Sequence, residues 1–456
     1  MSMAVDGLIS GLDTTSLINS LMTLEAGPQN LLKAKVTTSN TLVAALQGLN
    51  SSVASLATLA NRSVTADSLN LYAAKSSAAS VTVSAGSTAT TGALDIVVDK
   101  LAQAQSGVTA AMTVAPDTEF ILVSNSGMKT RITASSTSLD HMVIALNAAD
   151  AGITATKIAS GTANGETQYR LQLVATTTGA AGAFALHSGT EDTVADTNNL
   201  LTAPGAAVIR TAQDASVTLW KGTAAEQAIT SSTNTFADLL PGVAVTVSGV
   251  STDPVTISVS RDDAAVSAIA KGLVESLNGV FALISTKSAV VNSTDASGKA
   301  IVSAGVFSGD STVRDVKQLI LSAASYPVGG RSPSEIGISI TKTGTLEFDA
   351  NKFAAAMKDD PEFVKSVLSE ISSRVAAAAT SASDKYDGMI TGKVTGQESL
   401  VKSLGTQIDN WDLRLTSRRA TLERTYASLE VQLSNMNAQS AWLTAQVDGL
   451  NSANGK

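Results

Sequence analysis

The chain has 456 residues, room for several domains, and 44% of them are apolar, so cores can form. A formal charge of −8 argues against a nucleic-acid partner, which needs a basic face, and the absence of cysteine excludes disulfides, thiol catalysis and Cys-ligated metals. Only 15% of residues are charged, against about 25% in an average protein, so the chain is poor in the groups that furnish active sites and rich in small residues.

The first basic residue is Lys33 and Asp6 interrupts the start, so no secretory n-region is visible. No uninterrupted apolar run approaches the roughly 18 residues that would span a bilayer. Export without a cleaved signal is the expectation, with no membrane partner.

Residues 1–26 read as a flexible start and a short helix, capped by Asp13, with Leu17, Leu21 and Leu24 on one face. Gly27-Pro28 breaks it. From Gln29 to Asn61 a longer helix carries Leu42, Leu46, Leu49, Val53, Leu56 and Ala60 at steps of four and three. Near Ala73 the pattern changes to period two. Val81 and Val83, then Leu94, Ile96 and Val98, read as strands between Gly, Ser and Thr clusters. A compact α+β unit follows: strands at Phe120–Val123 and Lys129–Thr133, a helix from Ser138 to Ala148 with Leu139, Val143 and Leu146 inward, and strands at Ile153–Ile158 and Tyr169–Val174. Residues 179–215 read as loops. Strands resume at Val217–Trp220, Val243–Val247 and Val255–Val259. At Asp262 the helical period returns, with Val266, Ile269, Leu273, Leu277, Val280 and Ile284 in one row. A helix over Thr312–Ala324, a hairpin turning at Lys342-Thr343-Gly344 and a helix opened by Asp360-Pro361 complete this part.

The last stretch organises the rest. Between Thr406 and Asp448 there is neither Gly nor Pro, and Ile408, Leu415, Leu422, Leu429, Met436 and Leu443 recur every seven residues. Val401, Leu404 and Trp411 accompany the first half; Tyr426, Leu433 and Val447 accompany the second. Thr395 with Glu398 reads as a capping box and Gly449 as the stop. Such a rod, roughly 65 Å long at 1.5 Å per residue, needs partners along its whole length. The rows Leu42, Leu46, Leu49, Val53, Leu56 and Leu404, Ile408, Trp411, Leu415, Leu422, Leu429, Leu433, Met436, Leu443, Val447 are the candidate oligomer or coiled-coil seam. Leu17, Leu21 and Leu24 are the candidate N-terminal leg.

The expected fold class is therefore α+β and multidomain: long terminal α-helices pair as a coiled-coil or helical-bundle leg, with β-rich head domains inserted between them. The expected division is an N-terminal leg segment (1–40), a coiled-coil helix (41–72), the first part of a β-rich head (73–117), an inserted α+β head domain (118–215), the second part of the β-rich head (216–261), a helical domain with a hairpin (262–394), and the C-terminal coiled-coil helix and leg (395–456).

No catalytic, cofactor or metal site emerges. His141 lies on the helix of the small module beside Asp140 and His187 in a Gly-rich loop, and neither a Gly-x-Ser-x-Gly elbow nor a His-Glu-x-x-His pair occurs. Gly298-Lys299 and Gly392-Lys393 lack the remainder of a phosphate loop. Asp262-Asp263 and Asp359-Asp360 read as helix caps rather than metal ligands. The cluster Arg414, Arg418, Arg419 and Arg424 reads as the flank of a coiled coil.

Four segments carry a resemblance. Gly7-Leu8-Ile9-Ser10-Gly11-Leu12-Asp13, the run Gly309-Asp310-Ser311-Thr312-Val313-Arg314, and Ile336-Gly337-Ile338 with Gly344-Thr345-Leu346-Glu347-Phe348-Asp349 resemble signatures of the bacterial flagellar filament cap family, also called hook-associated protein 2. Residues 137–179 resemble the small flagellin IN module. The middle, about 179–235, carries no match. The resemblance implies a structural, non-enzymatic protein: a homo-oligomeric ring, usually a pentamer, extracellular at the distal tip of the flagellum, with β-rich heads outward and helical legs into the filament. Implied partners are flagellin, the hook–filament junction protein and an export chaperone on the C-terminal helix, with secretion by the flagellar type III machinery. The competing interpretation is another extracellular axial or adhesin-type protein with a coiled-coil stalk and a β-rich head.

Overall fold

The computed structural model describes residues 11, 13–294 and 297–453, and the residues group into two compact units, 1–65 with 267–456 and the inserted 66–266. The segment Gly7–Ser10 and Leu12 of the first signature lies outside the described residues.

The helical unit opens with α1 (Thr14–Glu25), where the Asp13 carboxylate accepts the Ser16 N–H at 2.7 Å. Helix α2 (Gly27–Asn61) follows after one residue. The break expected at Gly27-Pro28 is thus almost absent. Ala26 keeps helical backbone angles, its N–H reaches Met22 O at 2.9 Å, and Asn30 N–H reaches Ala26 O at 3.0 Å. Pro28 sits in the first turn of α2, where its missing N–H costs little. Leu46, Leu49, Val53, Leu56 and Ala60 are buried and Leu42 is half-buried.

The inserted unit is β-rich. In chain order its strands and helix are β1 (Tyr72–Ser76), β2 (Val81–Ala85), β3 (Gly92–Lys100), β4 (Ser106–Val108), β5 (Glu119–Ser124), β6 (Lys129–Thr133), α3 (Leu139–Ala148), β7 (Ile153–Ala163), β8 (Glu166–Ala175), β9 (Phe184–Ser188), β10 (Ala207–Arg210), β11 (Ala215–Leu219), β12 (Gln227–Ser231), β13 (Thr235–Leu240), β14 (Val243–Val247) and β15 (Val255–Arg261). The sheet β1-β15-β3-β11-β12 and the sheet β13-β14-β2 enclose one core around Ile96, Val98, Val217, Val245 and Ile257. The sheets β10-β4-β8-β7 and β6-β5-β9, with α3, enclose a second around Phe120, Met142, Leu146, Leu171 and Leu186. Alternation explains both: Val243, Val245 and Val247 are buried while Thr246 is exposed.

Three expectations are corrected in this unit. The segment 179–215 is not all loop: Phe184 and Leu186 alternate inward on β9, which pairs with β5, so His187 lies in a strand, buried, with Nδ1 3.0 Å from Ala195 O. On α3 the inward residues are Leu139, Met142 and Leu146, with Val143 half-buried, because steps of three and four from Leu139 reach 142 and 146. The β7–β8 hairpin closes tightly at Asn164-Gly165, both with positive φ (52° and 84°), so the strands run further than their apolar cores suggest.

Helix α4 (Asp263–Ser288) leads back to the helical unit, capped by Asp262, whose carboxylate accepts Ala265 N–H at 2.8 Å. Val266, Leu273, Leu277, Val280 and Ile284 are buried; Ile269 is half-buried and Ala270 is buried beside it. Next come the hairpin β16 (Val291–Thr294) and β17 (Ala300–Ser303), α5 (Ser311–Ser325) with Asp310 as cap, and the hairpin β18 (Ile338–Ile340) and β19 (Leu346–Phe348). Asn278 clamps β19, exchanging hydrogen bonds with the Leu346 backbone at 2.7 and 2.8 Å. Ile336 lies in a short 3-10 turn ending at Gly337, whose φ is +82° and where a Cβ would stand 2.5 Å from Asp349 O. Helix α6 (Ala350–Asp359) precedes α7 (Pro361–Ser383), capped by Asp360 with Pro361 in the first turn. The most enclosed element of this unit is α7, with Val364, Val367, Leu368, Ile371, Val375 and Ala379 all buried against α2, α5 and α8. The chain closes with α8 (Met389–Ala453).

By composition α2 and α4 are apolar enough to cross a bilayer. In both, Ala, Leu and Val supply that average, and the rows Leu46, Leu49, Val53, Leu56 and Val266, Leu273, Leu277 are buried within the protein.

Candidate assembly surface

Helix α8 is 65 residues long, about 98 Å at 1.5 Å per residue. It begins six residues before the expected capping box. Thr395 is inside the helix, its hydroxyl donating to Thr391 O at 3.0 Å. The real start is the turn before Met389: the Asp384 carboxylate accepts the N–H groups of Tyr386 and Asp387 at 2.8 and 2.9 Å, which holds it below the usual carboxylate range. At Gly388 a Cβ would stand 2.5 Å from Asp384 O, so the turn needs glycine. The expected stop at Gly449 does not occur, and the helix continues to Ala453. A helical glycine costs only about 1 kcal/mol relative to alanine, and no proline follows it.

Along this rod the seven-residue ladder passes from covered to bare. Leu404 is buried. Ile408, Trp411, Leu415, Leu422 and Leu433 are half-buried. Leu429, Met436, Leu443 and Val447 are 45%, 57%, 56% and 51% exposed, and Trp442 beside them is exposed too. The covered part is packed by α2 and α1, which run antiparallel to it. Gln29, itself buried, donates from Nε2 to Asp412 Oδ1 at 2.6 Å; Glu25 meets Arg418 at 3.6 Å; Asn19 bonds Arg419. Gln29 was not among the residues the sequence pattern singled out, because a buried polar group is visible only through its partner.

The arginine cluster divides evenly between long-range and local contacts. Arg418 and Arg419 tie α8 to α1, Arg424 donates back to Ala420 O at 3.2 Å, and the Arg414 guanidinium lies 5.5 Å from the centroid of the Trp411 ring. On α1 the row that turns inward is Thr14 and Ile18. Leu17 and Leu24 are exposed and Leu21 is half-buried, so Leu17, Leu21 and Leu24 are not the packed face of this helix.

Elsewhere the polar constellations are structural. His141 Nδ1 is 2.6 Å from Ser136 Oγ, and Asp262, Asp310, Asp349 and Asp360 cap helices. Among the described residues no three His, Asp or Glu side chains converge as a metal site.

A helical unit with one very long helix and a half-exposed apolar ladder, interrupted in sequence by a β-rich unit, defines a two-unit α+β protein. The chain belongs to the flagellar hook-associated protein 2 family. Its family models match here as the N-terminus over residues 10–105 and the C-terminus over 212–438. The B-type flagellar hook-associated protein 2 of Pseudomonas aeruginosa is 28% identical over 224 residues, 48% of this chain and 40% of that protein. The flagellar hook-associated protein 2 of Escherichia coli K12 is 27% identical over 340 residues, 71% of this chain and 70% of that protein. So the chain spans well under half of the first relative's length and about two thirds of the second's. Among solved structures, the D1-D2-D3 domains of the flagellar cap protein FliD from Escherichia coli are similar, with a TM-score of 0.61 at 25% identity, covering 77% of this chain and 99% of that one. The two matched stretches bracket 106–211, which holds nearly all of the second core of the inserted unit.

Proposed function

We propose that this chain caps the distal tip of the bacterial flagellar filament, outside the cell, as a homo-oligomeric ring that promotes insertion of exported flagellin and prevents its leakage. Membership of the family supports the cap role, and the similar Escherichia coli structure is itself a flagellar cap protein. The proposal extends to five copies per ring, to a junction with the hook–filament junction protein, and to an export chaperone that covers the C-terminal helix before secretion. The observation that carries it is the bare end of α8: four apolar side chains in register, Leu429, Met436, Leu443 and Val447, about half exposed in a single chain. Burying such side chains is worth roughly 1.5–3 kcal/mol each, and a charge placed there must also be desolvated.

The test is Leu429→Asp with Met436→Asp. The expected product is a soluble monomer by light scattering, with the inserted unit melting as in the parent protein, and cells that shed unpolymerised flagellin into the medium. Parental oligomer size together with normal filaments would refute the seam and move the assembly surface elsewhere.

A further inference from the structure

The near-continuity of α1 and α2 has a consequence for the exposed leucines on them. Leu17, Leu24 and Leu31 follow one another at seven-residue spacing across Ala26, and they are 44%, 79% and 68% exposed. They form a stripe beside the packed row of Thr14, Ile18 and Gln29. A helix that buries one stripe and leaves leucines bare on the next is shaped for two helical neighbours. Within the chain the first neighbour is the Asp412–Arg419 region of α8, as the Gln29, Glu25 and Asn19 contacts record.

The tail of α8 has the matching surface. Leu429, Met436 and Leu443 make three rungs over 14 residues, as do Leu17, Leu24 and Leu31, so each row is about 21 Å long. The row is also continuous with the seam already formed with α1 and α2, since Leu415 and Leu422 belong to the same ladder. Charge bears on one end of the row: Lys33 and Lys35, beyond Leu31, are exposed, Glu25 beside Leu24 already meets Arg418, and the charged residues of α8 after Arg424 are Glu430 and Asp448. We propose that the Leu17-Leu24-Leu31 row of one copy receives the Leu429-Met436-Leu443 row of a second copy, with Leu24 against Met436 at the centre.

This deepens the ring reading above and rests on it. Two different surfaces meet, so the contact is head-to-tail, and head-to-tail contacts close into rings when the rotation permits. It also explains why α1 turns Thr14 and Ile18 inward and leaves its leucines outside.

The absence of native cysteine makes the test clean. Single variants Leu24→Cys and Met436→Cys are mixed as full-length protein, oxidised mildly and run on a non-reducing gel. A two-chain band is expected from the mixture, and from neither variant alone. Leu17→Cys mixed with Met436→Cys, one rung and about 10 Å out of register, should cross-link about tenfold more slowly. Self-cross-linking of Met436→Cys, or equal rates for the two mixtures, would overturn the proposed contact while light scattering still reports assembly. Absence of any oligomer in light scattering of the parent protein would instead remove the ring reading itself, and this proposal with it.

Discussion

At the scale of single residues, Asp99 is placed to couple the stability of the β-rich unit to pH. It sits near the end of β3, where Lys221 Nζ donates to it at 2.8 Å and Thr218 on β11 donates to its other oxygen. Burial pushes this carboxyl up, but the hydrogen bonds from Lys221 and Thr218 and the charges of Lys221 and Lys100 outweigh that and hold it below the ordinary range. A carboxylate with a depressed folded value stabilises the fold above its unfolded value of about 3.9 and loses that contribution as pH falls through the folded value. Asp99→Asn should therefore lower stability at pH 7, by no more than about 1 kcal/mol because the site is partly solvated. The gap to the parent protein should close below pH 4, as followed by urea unfolding at several pH values. A gap that persists unchanged in acid would mean that the residue acts through packing and not through its charge.

At the scale of elements, α8 combines two regimes in one helix. Its first part is held by α2, α7 and the α1 contacts, and beyond Leu433 its apolar side chains stand exposed among the described residues. Helical hydrogen bonds without tertiary packing are marginal in water. Amides of 429–448 should therefore exchange far faster than those of α7 in the monomer, and slow markedly on assembly. Equal protection of 429–448 in both states, measured by hydrogen exchange with mass spectrometry, would show that assembly does not use this segment. The same logic makes α7, enclosed on nearly every side, the slowest-exchanging helix of its unit.

At the scale of the molecule, residues 66–266 have their own two cores and their own sheets. A unit with its own cores is a candidate to fold by itself. The isolated segment 66–266 should unfold cooperatively on heating, followed by circular dichroism. A broad, non-cooperative melt would show that the helical unit is needed to complete it. Its survival also supplies the control for the α8 variants, since a charge at Leu429 should leave this melt untouched.

How much of this was legible beforehand follows from the range of the interactions involved. Period and caps are local, so the helical and β-rich stretches, Asp13, Asp262 and Asp360 as caps, and the turn at Gly344 could be read from neighbours in the chain, as could the ladder from Ile408 to Leu443. Three things could not. Where α8 begins is decided by the Asp384–Gly388 turn, which a capping-like Thr395 and Glu398 conceal. Which strands complete a sheet depends on distant partners, as when Phe184–Ser188 finds β5. Above all, the ladder looks uniform in sequence, because every rung is apolar. Only the antiparallel packing of α1 and α2, set by Gln29 on Asp412 and Glu25 on Arg418, decides that Leu404 is buried while Met436 and Leu443 stand bare. The sequence alone determined that a stripe exists, because helical period is a property of neighbours; the tertiary structure decided which part of it is left exposed, because that depends on where a partner helix far away in the chain comes to an end.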